Sequence, residues 1–305
     1  MANYLDDIFS RAHELPKQTI CIAAPEDKES LKAIKEAVEK QLCDPIFVGN
    51  KNKIHRLAQE ISFELLNFQI IDHPDPKKAA FESVQRVSQG EADLLMKGNV
   101  QTRDLLKAVL DKECGLRSGK ILSHVAIFEL PKYEKLLLLT DAAMNITPGL
   151  KEKYEIIQNS IDVAVNLEIT RPKVAVLAAV ETVNPDMQAT LDAASLSKMG
   201  DRGQIIGAVI DGPLALDNAI SPEAAQQKDI TSEVAGNADI LLAPNIETGN
   251  VLYKSLTTLA GGRVASILAG AKAPVVLTSR ADPHETKVCS IAAASMMAAK
   301  QSLQE

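Results

Sequence analysis

The sequence predicts an α/β protein made of two domains with mostly parallel sheets. Short apolar runs rich in β-branched residues alternate with segments whose apolar residues have helical spacing, a pattern typical of βαβ units. The chain has 305 residues and is 46% hydrophobic, which is ample for two cores at roughly 100–200 residues per domain. The strand–helix alternation also restarts in the second half of the chain, and this restart marks a second domain.

The first half predicts parallel strands and one hairpin. Residues 29–42 have the apolar spacing of an amphipathic helix. Residues 119–130 and 135–145 are both strand-like, and only Pro-Lys-Tyr-Glu separates them. Because that connection is too short for a crossover helix, these two strands should form an antiparallel hairpin in a mixed sheet. The strands predicted before the hairpin are 18–27, 45–50, 68–73 and 92–99.

In the second half a helical pattern over 147–169 precedes the new alternation. Helices are predicted near 186–199 and from about 249 onward, with another between them. The last strand and helix, 273–279 and 284–300, belong to one of the two domains, and the pattern alone does not decide which. The intervening strands are predicted at 172–180, 205–212 and 239–245.

Composition narrows the class of function. The chain carries 33 Lys and Arg against 40 Asp and Glu, a net charge of −7, so no basic surface suggests nucleic acid or an anionic membrane as a partner. The start has acids where a signal peptide needs basic residues, and no run of about 18 apolar residues occurs, so a cytoplasmic protein is expected. The four cysteines form no CxxC pair, and they suit small buried side chains better than bridges or metal ligands.

Familiar catalytic signatures do not occur in the sequence. Residues 115–121 have one residue too few between glycines for a P-loop, and no GxGxxG follows an early strand. The sequence contains no HExxH pair, which would indicate a metal site, and no GxSxG motif, which would indicate an α/β-hydrolase. Neither a bound metal nor a bound cofactor is therefore expected.

Polar residues follow almost every predicted strand. In open parallel sheets ligands bind beyond the carboxyl ends of the strands. The polar residues at these strand ends should therefore lie together in one cleft, between the two domains. The sequence of residues 273–287 predicts a strand, a tight turn and a helix, with Asp282 as the helix N-cap and Glu285 as the third helical residue of a capping box. Arg280 in this turn adds a guanidinium beside a helix N-terminus, which predicts a bound anion.

Five motifs occur in the order and spacing of the phosphate acetyl/butyryltransferase family, and the chain resembles that family over nearly its whole length, most closely the butyryltransferase branch. The resemblance implies a fold similar to isocitrate and isopropylmalate dehydrogenases, with domain I formed by 1–147 plus 268–305 and domain II by 148–267. It also implies acyl transfer between coenzyme A and inorganic phosphate, here butyryl-CoA plus phosphate to coenzyme A plus butyryl phosphate. The motifs are 97–110, 140–148, 211–219, 244–256 and 278–282.

The resemblance points to catalytic residues in the last motif. Arg280 is expected to bind phosphate, and Ser279 is expected near the reacting thiol or acyl phosphate, where a hydroxyl can hydrogen-bond developing charge. Acetyltransferase members carry an aspartate base seven residues after that serine, but this chain has Thr286 there. Asp282 or Glu285 is left to manage the thiol proton, unless both serve only to cap the helix.

Further substrate-binding residues are expected at other strand ends. Asn99 ends the fourth strand, and Thr102 suits an N-cap of the following helix. Arg103 is the preferred phosphate partner of Arg280, while Lys107 lies where acetyltransferase members carry a phosphate-binding arginine. Four more residues either order turns and caps or contact ligand, and the resemblance places them along the cleft: Asp141, Asn145, Asn245 and Asn250.

Three alternatives to butyryl transfer stay open at this point. One is phosphate acetyltransferase, with the same chemistry and a smaller acyl pocket. A dehydrogenase of the related fold is another, although the chain shows no obvious cluster of metal-binding aspartates. The third is a sensor that binds acyl-CoA or acyl phosphate without catalysis. A homodimer or larger homo-oligomer is expected by default.

Overall fold

The computed structural model describes residues 4–279 and 282–303. The chain divides into two compact units. Unit I comprises Asp6–Lys120 and Ala265–Glu305, and unit II comprises Met1–Leu5 and Ile121–Val264. The domain limits that the resemblance implies, 1–147 with 268–305 and 148–267, stay a prediction.

Strands and helices alternate along most of the chain, as the sequence predicts. The strands are β1 (Gln18–Ala23), β2 (Cys43–Gly49), β3 (Gln69–Asp72), β4 (Leu94–Lys97), β5 (Ser123–Glu129), β6 (Leu137–Thr140), β7 (Lys173–Leu177), β8 (Val209–Leu214), β9 (Ile240–Leu242), β10 (Arg263–Ala269) and β11 (Val275–Val276). The helices are α1 (Leu5–Glu14), α2 (Lys28–Glu39), α3 (Lys51–Glu60), α4 (Pro76–Ser88), α5 (Thr102–Val109), α6 (Leu150–Asn166), α7 (Gln188–Asp201), α8 (Leu216–Ile220), α9 (Pro222–Gln227), α10 (Ile246–Thr258) and α11 (His284–Ser302).

The sheet of unit I is parallel apart from one strand. Its order is β3-β2-β1-β4-β11-β10, and only the β10–β11 pair is antiparallel. The late strand β11 lies beside β4, with Val275 opposite Leu95 and Val276 opposite Met96. The carboxyl ends of β1, β4 and β11 therefore lie side by side at one edge of this sheet.

Helices cover the sheet of unit I because its central strands are apolar on both faces. Ile20 and Ile22 of β1 and Leu94 and Leu95 of β4 are fully buried. Helix α4 packs on β1, and α11 packs on α2. The first turn of α11 is thereby held close to the beginning of α2.

The sheet of unit II has the order β5-β6-β9-β7-β8. The predicted hairpin is confirmed, because β5 and β6 are antiparallel, with Val125 opposite Thr140. The remaining pairs are parallel. One face carries a core in which the ring centroids of Phe128 and Tyr253 lie 5.5 Å apart. The two units together confirm the predicted α/β fold with mostly parallel sheets.

Across residues 4–279 and 282–303, no helix combines the length and the apolar character needed to cross a bilayer.

Candidate active site

Unit I contains a cavity of about 210 Å³ at the carboxyl ends of β1, β4 and β11. This is the edge of a parallel sheet where ligands are expected. Helix α2 begins at the cavity, so its first-turn backbone N–H groups contribute positive potential. The lining residues are Asp27, Lys28, Glu29, Ser30, Lys97, Gly98, Asn99, Thr278, Ser279 and Lys287.

A glycine allows the ends of β1 and β4 to meet at this cavity. The backbone N–H of Gly98 donates to the carbonyl of Ala23 at 2.9 Å, and that of Asn99 donates to the carbonyl of Ala24 at 2.6 Å. A Cβ on residue 98 would lie 2.3 Å from the Ala24 carbonyl oxygen, closer than atoms can approach. Glycine is therefore required here, and it fixes the positions of Lys97 and Asn99 beside the cavity.

The turn after β11 is closed by Asp282. The backbone N–H of Ser279 donates to the Asp282 carboxylate at 2.7 Å, and the backbone N–H of Asp282 donates to the Ser279 carbonyl at 3.2 Å. Ser279 is exposed at the cavity. Arg280, the predicted phosphate-binding residue, lies outside the described residues, and its role stays a prediction.

The predicted cap of α11 is wrong. The helix begins at His284 with Pro283 as N-cap, and the N-cap residue itself makes no side-chain hydrogen bond to the helix. The Asp282 carboxylate is used by the Ser279 backbone instead, and the His284 N–H donates to Glu29 of α2 at 3.2 Å. Glu285 is exposed, whereas the Asp282 carboxylate accepts from the backbone N–H of Ser279, so the two candidate bases differ in their surroundings.

Lys287 was not identified from the sequence. Its side chain is buried, with the residue only 3% exposed. The ammonium donates to the carbonyl of Asp282 at 2.8 Å and to that of Ser279 at 3.3 Å. The sequence offered a partial signal, because residues 288–299 are apolar on nearly every side, which predicts a buried helix directly after Lys287.

Thr286, at the position where acetyltransferase members carry aspartate, is buried at 7% exposure. Thr278 is also buried and lines the cavity. Within the described part of the chain, the Thr278 hydroxyl has no hydrogen-bond partner. A buried hydroxyl of this kind is suited to donate to a ligand oxygen.

The predicted residues of α5 do not line this cavity. The helix has Gln101 as N-cap without a side-chain bond, so the predicted Thr102 cap is wrong and Thr102 is the first helical residue. Arg103 and Lys107 are exposed on successive turns of the same helix. Their predicted binding of phosphate stays a prediction.

Four predicted residues belong to unit II, where they organise the segment after β6. The Asp141 carboxylate accepts from the backbone N–H groups of Ala143, Met144 and Asn145 and from the Asn145 side chain at 2.6 Å. Asn250 donates to the Ala142 carbonyl at 3.3 Å. Asn245 caps α10 by accepting from the Thr248 N–H at 2.9 Å. Turn and cap functions account for these contacts, and ligand binding by these residues stays a prediction.

The described residues contain no group of three or more His, Cys, Asp and Glu side chains arranged to hold a metal ion.

The carboxylate of Glu29, which lines the cavity, pairs with a lysine of its own helix, α2. A hydrogen bond from Lys32 at 2.9 Å lowers the pKa of Glu29 below its ordinary value.

Residues 3–85 and 77–295 match the family described as Phosphate acetyl/butaryl transferase. The chain is 51% identical over 300 residues to the phosphate butyryltransferase of Clostridium beijerinckii, covering 98% of this chain and 99% of that protein. It is 46% identical over 295 residues to the phosphate acetyltransferase of Thermotoga maritima, covering 97% and 100%.

A solved structure gives the same result at the level of the fold. The crystal structure of a branched-chain phosphotransacylase from Enterococcus faecalis V583 matches with a TM-score of 0.81 at 37% identity. That match covers 92% of this chain and 99% of the other.

Proposed function

Because this chain belongs to the phosphate acetyl/butyryl transferase family, we propose that it transfers a butyryl group between coenzyme A and inorganic phosphate. The observation that carries the proposal is the full-length similarity to a phosphate butyryltransferase. The cavity of unit I supports it independently, because buried lysines and a helix N-terminus at the ends of parallel strands suit a phosphoryl group.

We propose direct transfer within a complex of both substrates. A phosphate oxygen attacks the thioester carbonyl carbon, the new C–O bond forms, and the C–S bond breaks with its electron pair going to sulfur. The proton that phosphate loses ends on the thiol, so the products are butyryl phosphate and coenzyme A. Positioning of two bound substrates supplies much of the rate, and no covalent acyl-enzyme is involved.

Ser279 and its turn orient the reacting groups in this mechanism. Asp282 holds the Ser279 backbone from both sides, which fixes where the Ser279 hydroxyl lies relative to the cavity. Arg280, with Arg103, is proposed to bind phosphate. Asp282 or Glu285 is proposed to carry the proton between phosphate and the thiol.

The experiment is release of coenzyme A from acetyl-, butyryl- and octanoyl-CoA, followed with a thiol reagent, with and without inorganic phosphate. Release that requires phosphate and is fastest with butyryl-CoA is expected. Arg280→Ala should abolish most of the phosphate-dependent rate while leaving the folded protein intact. Release without phosphate would identify a thioesterase, and no release from any substrate would contradict the proposal.

Acetyl transfer is the second candidate, and the similarity to a phosphate acetyltransferase favours it. A hydrophobic pocket distinguishes two substrates that differ by one methylene group by only about 1–3 kcal/mol. The same catalytic residues are proposed for both reactions. A rate that peaks with acetyl-CoA in the same assay would select this candidate.

We also propose that the enzyme is cytoplasmic and works as a homodimer or larger homo-oligomer, with acyl-CoA as a substrate and no bound cofactor. The substrates are intracellular metabolites, which supports the compartment. Light scattering of the purified protein measures the subunit number, and a monomer at assay concentration would contradict it.

A further inference from the structure

Lys287 places a positive charge inside unit I, and no carboxylate of residues 4–279 and 282–303 forms an ion pair with it. The residue is 3% exposed, and within the described part of the chain its ammonium donates to two backbone carbonyls, those of Ser279 and Asp282. An ammonium has three N–H donors, and the carbonyls use two of them. Burying such a charge costs free energy unless an anion offsets it.

The two carboxylates that line the cavity are engaged elsewhere. Asp27 caps α2 by accepting from the Ser30 N–H at 2.7 Å. Glu29 accepts from the Lys32 ammonium at 2.9 Å and from the His284 N–H at 3.2 Å. Neither of them forms an ion pair with Lys287 among the described residues. The charge of Lys287 is therefore available to a ligand.

Two further groups of the same lining suit an oxyanion. Lys97 is 4% exposed and ends β4 at the cavity. The Thr278 hydroxyl is buried, and no described residue accepts from it or donates to it. Two buried ammonium groups and one hydroxyl match a dianion that carries several acceptor oxygens, which describes a phosphoryl group.

We propose that Lys287 binds the phosphoryl oxygens of inorganic phosphate and of the acyl phosphate, with Lys97 as the second cation and Thr278 as a hydroxyl donor. This inference rests on the proposed function. The third N–H of the Lys287 ammonium donates to a phosphoryl oxygen. The same ammonium holds the carbonyls on both sides of the Ser279 turn, so phosphate binding and the placement of Ser279 are linked.

The test is Lys287→Met, which keeps the length of the side chain and removes the charge. The matched control is Lys35→Met, because Lys35 also donates to a backbone carbonyl, that of Ile61 at 3.0 Å, but lies outside the cavity. In the butyryl-CoA assay the KM for phosphate should rise about tenfold or more in Lys287→Met, as expected for a lost charge-assisted hydrogen bond. The KM for butyryl-CoA should stay within about twofold, and Lys35→Met should change neither.

A binding measurement without acyl-CoA separates ligand binding from a structural role. Inorganic phosphate should raise the Tm of the wild type and of Lys35→Met, and it should raise that of Lys287→Met far less. A structural role alone would lower the Tm of Lys287→Met without phosphate and leave the phosphate-induced shift unchanged. If Lys287→Met does not fold, Lys287→Gln serves for both readouts.

The inference is overturned if Lys287→Met keeps the wild-type KM for phosphate and the wild-type Tm shift. A rise in the KM for butyryl-CoA alone would also overturn it, because Lys287 would then act on coenzyme A. If the wild type releases no coenzyme A in the presence of phosphate, the proposed function fails, while the phosphate-induced Tm shift still tests Lys287.

Discussion

Lys153 of α6 and Asp192 of α7 form a buried ion pair in unit II, with Nζ 2.6 Å from Oδ2 and side-chain exposures of 5% and 8%. Gln188 donates to the other carboxylate oxygen at 2.8 Å. Removing one partner of such a pair leaves a buried charge without compensation, so Lys153→Met should lower the free energy of unfolding by about 3–5 kcal/mol. Urea denaturation measures this loss.

The exposed pair between Lys198 and Asp201 on α7 provides the control. Solvent screens this pair, so Lys198→Met should cost about 0–1 kcal/mol. Equal losses in Lys153→Met and Lys198→Met would contradict the prediction that burial decides the cost.

Gly98→Ala should change the shape of the cavity in unit I. The added Cβ would lie 2.3 Å from the Ala24 carbonyl oxygen, so the ends of β1 and β4 must separate. We expect a stability loss of about 1–3 kcal/mol, measured in urea, and a loss of phosphate-dependent activity, measured as kcat/KM. Gly149→Ala is the control, because its Cβ meets only the mobile end of Glu152 at 3.0 Å. A Gly98→Ala enzyme with unchanged kcat/KM would show that this strand contact does not position the site.

Asp282→Ala and Glu285→Gln separate positioning from proton transfer. Asp282→Ala removes the acceptor of the Ser279 N–H, so kcat should fall about tenfold or more. Glu285 is exposed, so Glu285→Gln should lower kcat only if this carboxylate carries the proton. The pH profile of kcat gives the answer, because loss of a base removes the acidic limb, whereas loss of a positioning group lowers the whole curve. A normal kcat in Asp282→Ala would contradict the role of Asp282 in the turn.

The cysteines should differ in reactivity. Burial raises the pKa of Cys21 and of Cys43 to about 12, so neither forms the reactive thiolate in the folded protein. Cys114 is partly exposed, although burial also raises its pKa. With Ellman's reagent near pH 8, Cys114 should react slowly in the native state, and Cys21 and Cys43 only after unfolding. Cys114→Ser should remove the native phase, and modification of Cys21 in the folded protein would contradict this assignment.

The strand–helix order could be predicted because it depends on local periodicity and on connection length. The four residues between the predicted strands 119–130 and 135–145 are too few for a crossover, and the hairpin of β5 and β6 is present. Strand β10 was not predicted. Its sequence, Arg263–Ala269, follows α10 after a few residues, and a short apolar run of this kind suits a strand or a buried helix equally well.

The site was predictable only in part, because side-chain competition is not visible in a sequence. Asp282 suits an N-cap by its position before an apolar helix, but the Ser279 N–H uses its carboxylate. Lys287 resembled an ordinary helix-terminal charge, and its burial depends on the packing of α11 against α2. Strand β11 is likewise assigned to unit I by its pairing with β4, which no local pattern reveals.

The insertion of β11 beside β4 also affects how the protein is made. The chain leaves the ribosome from its N-terminus, and β11 and α11 follow more than 150 residues after β4. During synthesis β4 is therefore an uncovered sheet edge, and such edges pair readily with other strands. The nascent chain needs protection at β4 until residues 265–305 appear, and the residues proposed to bind phosphate meet only then.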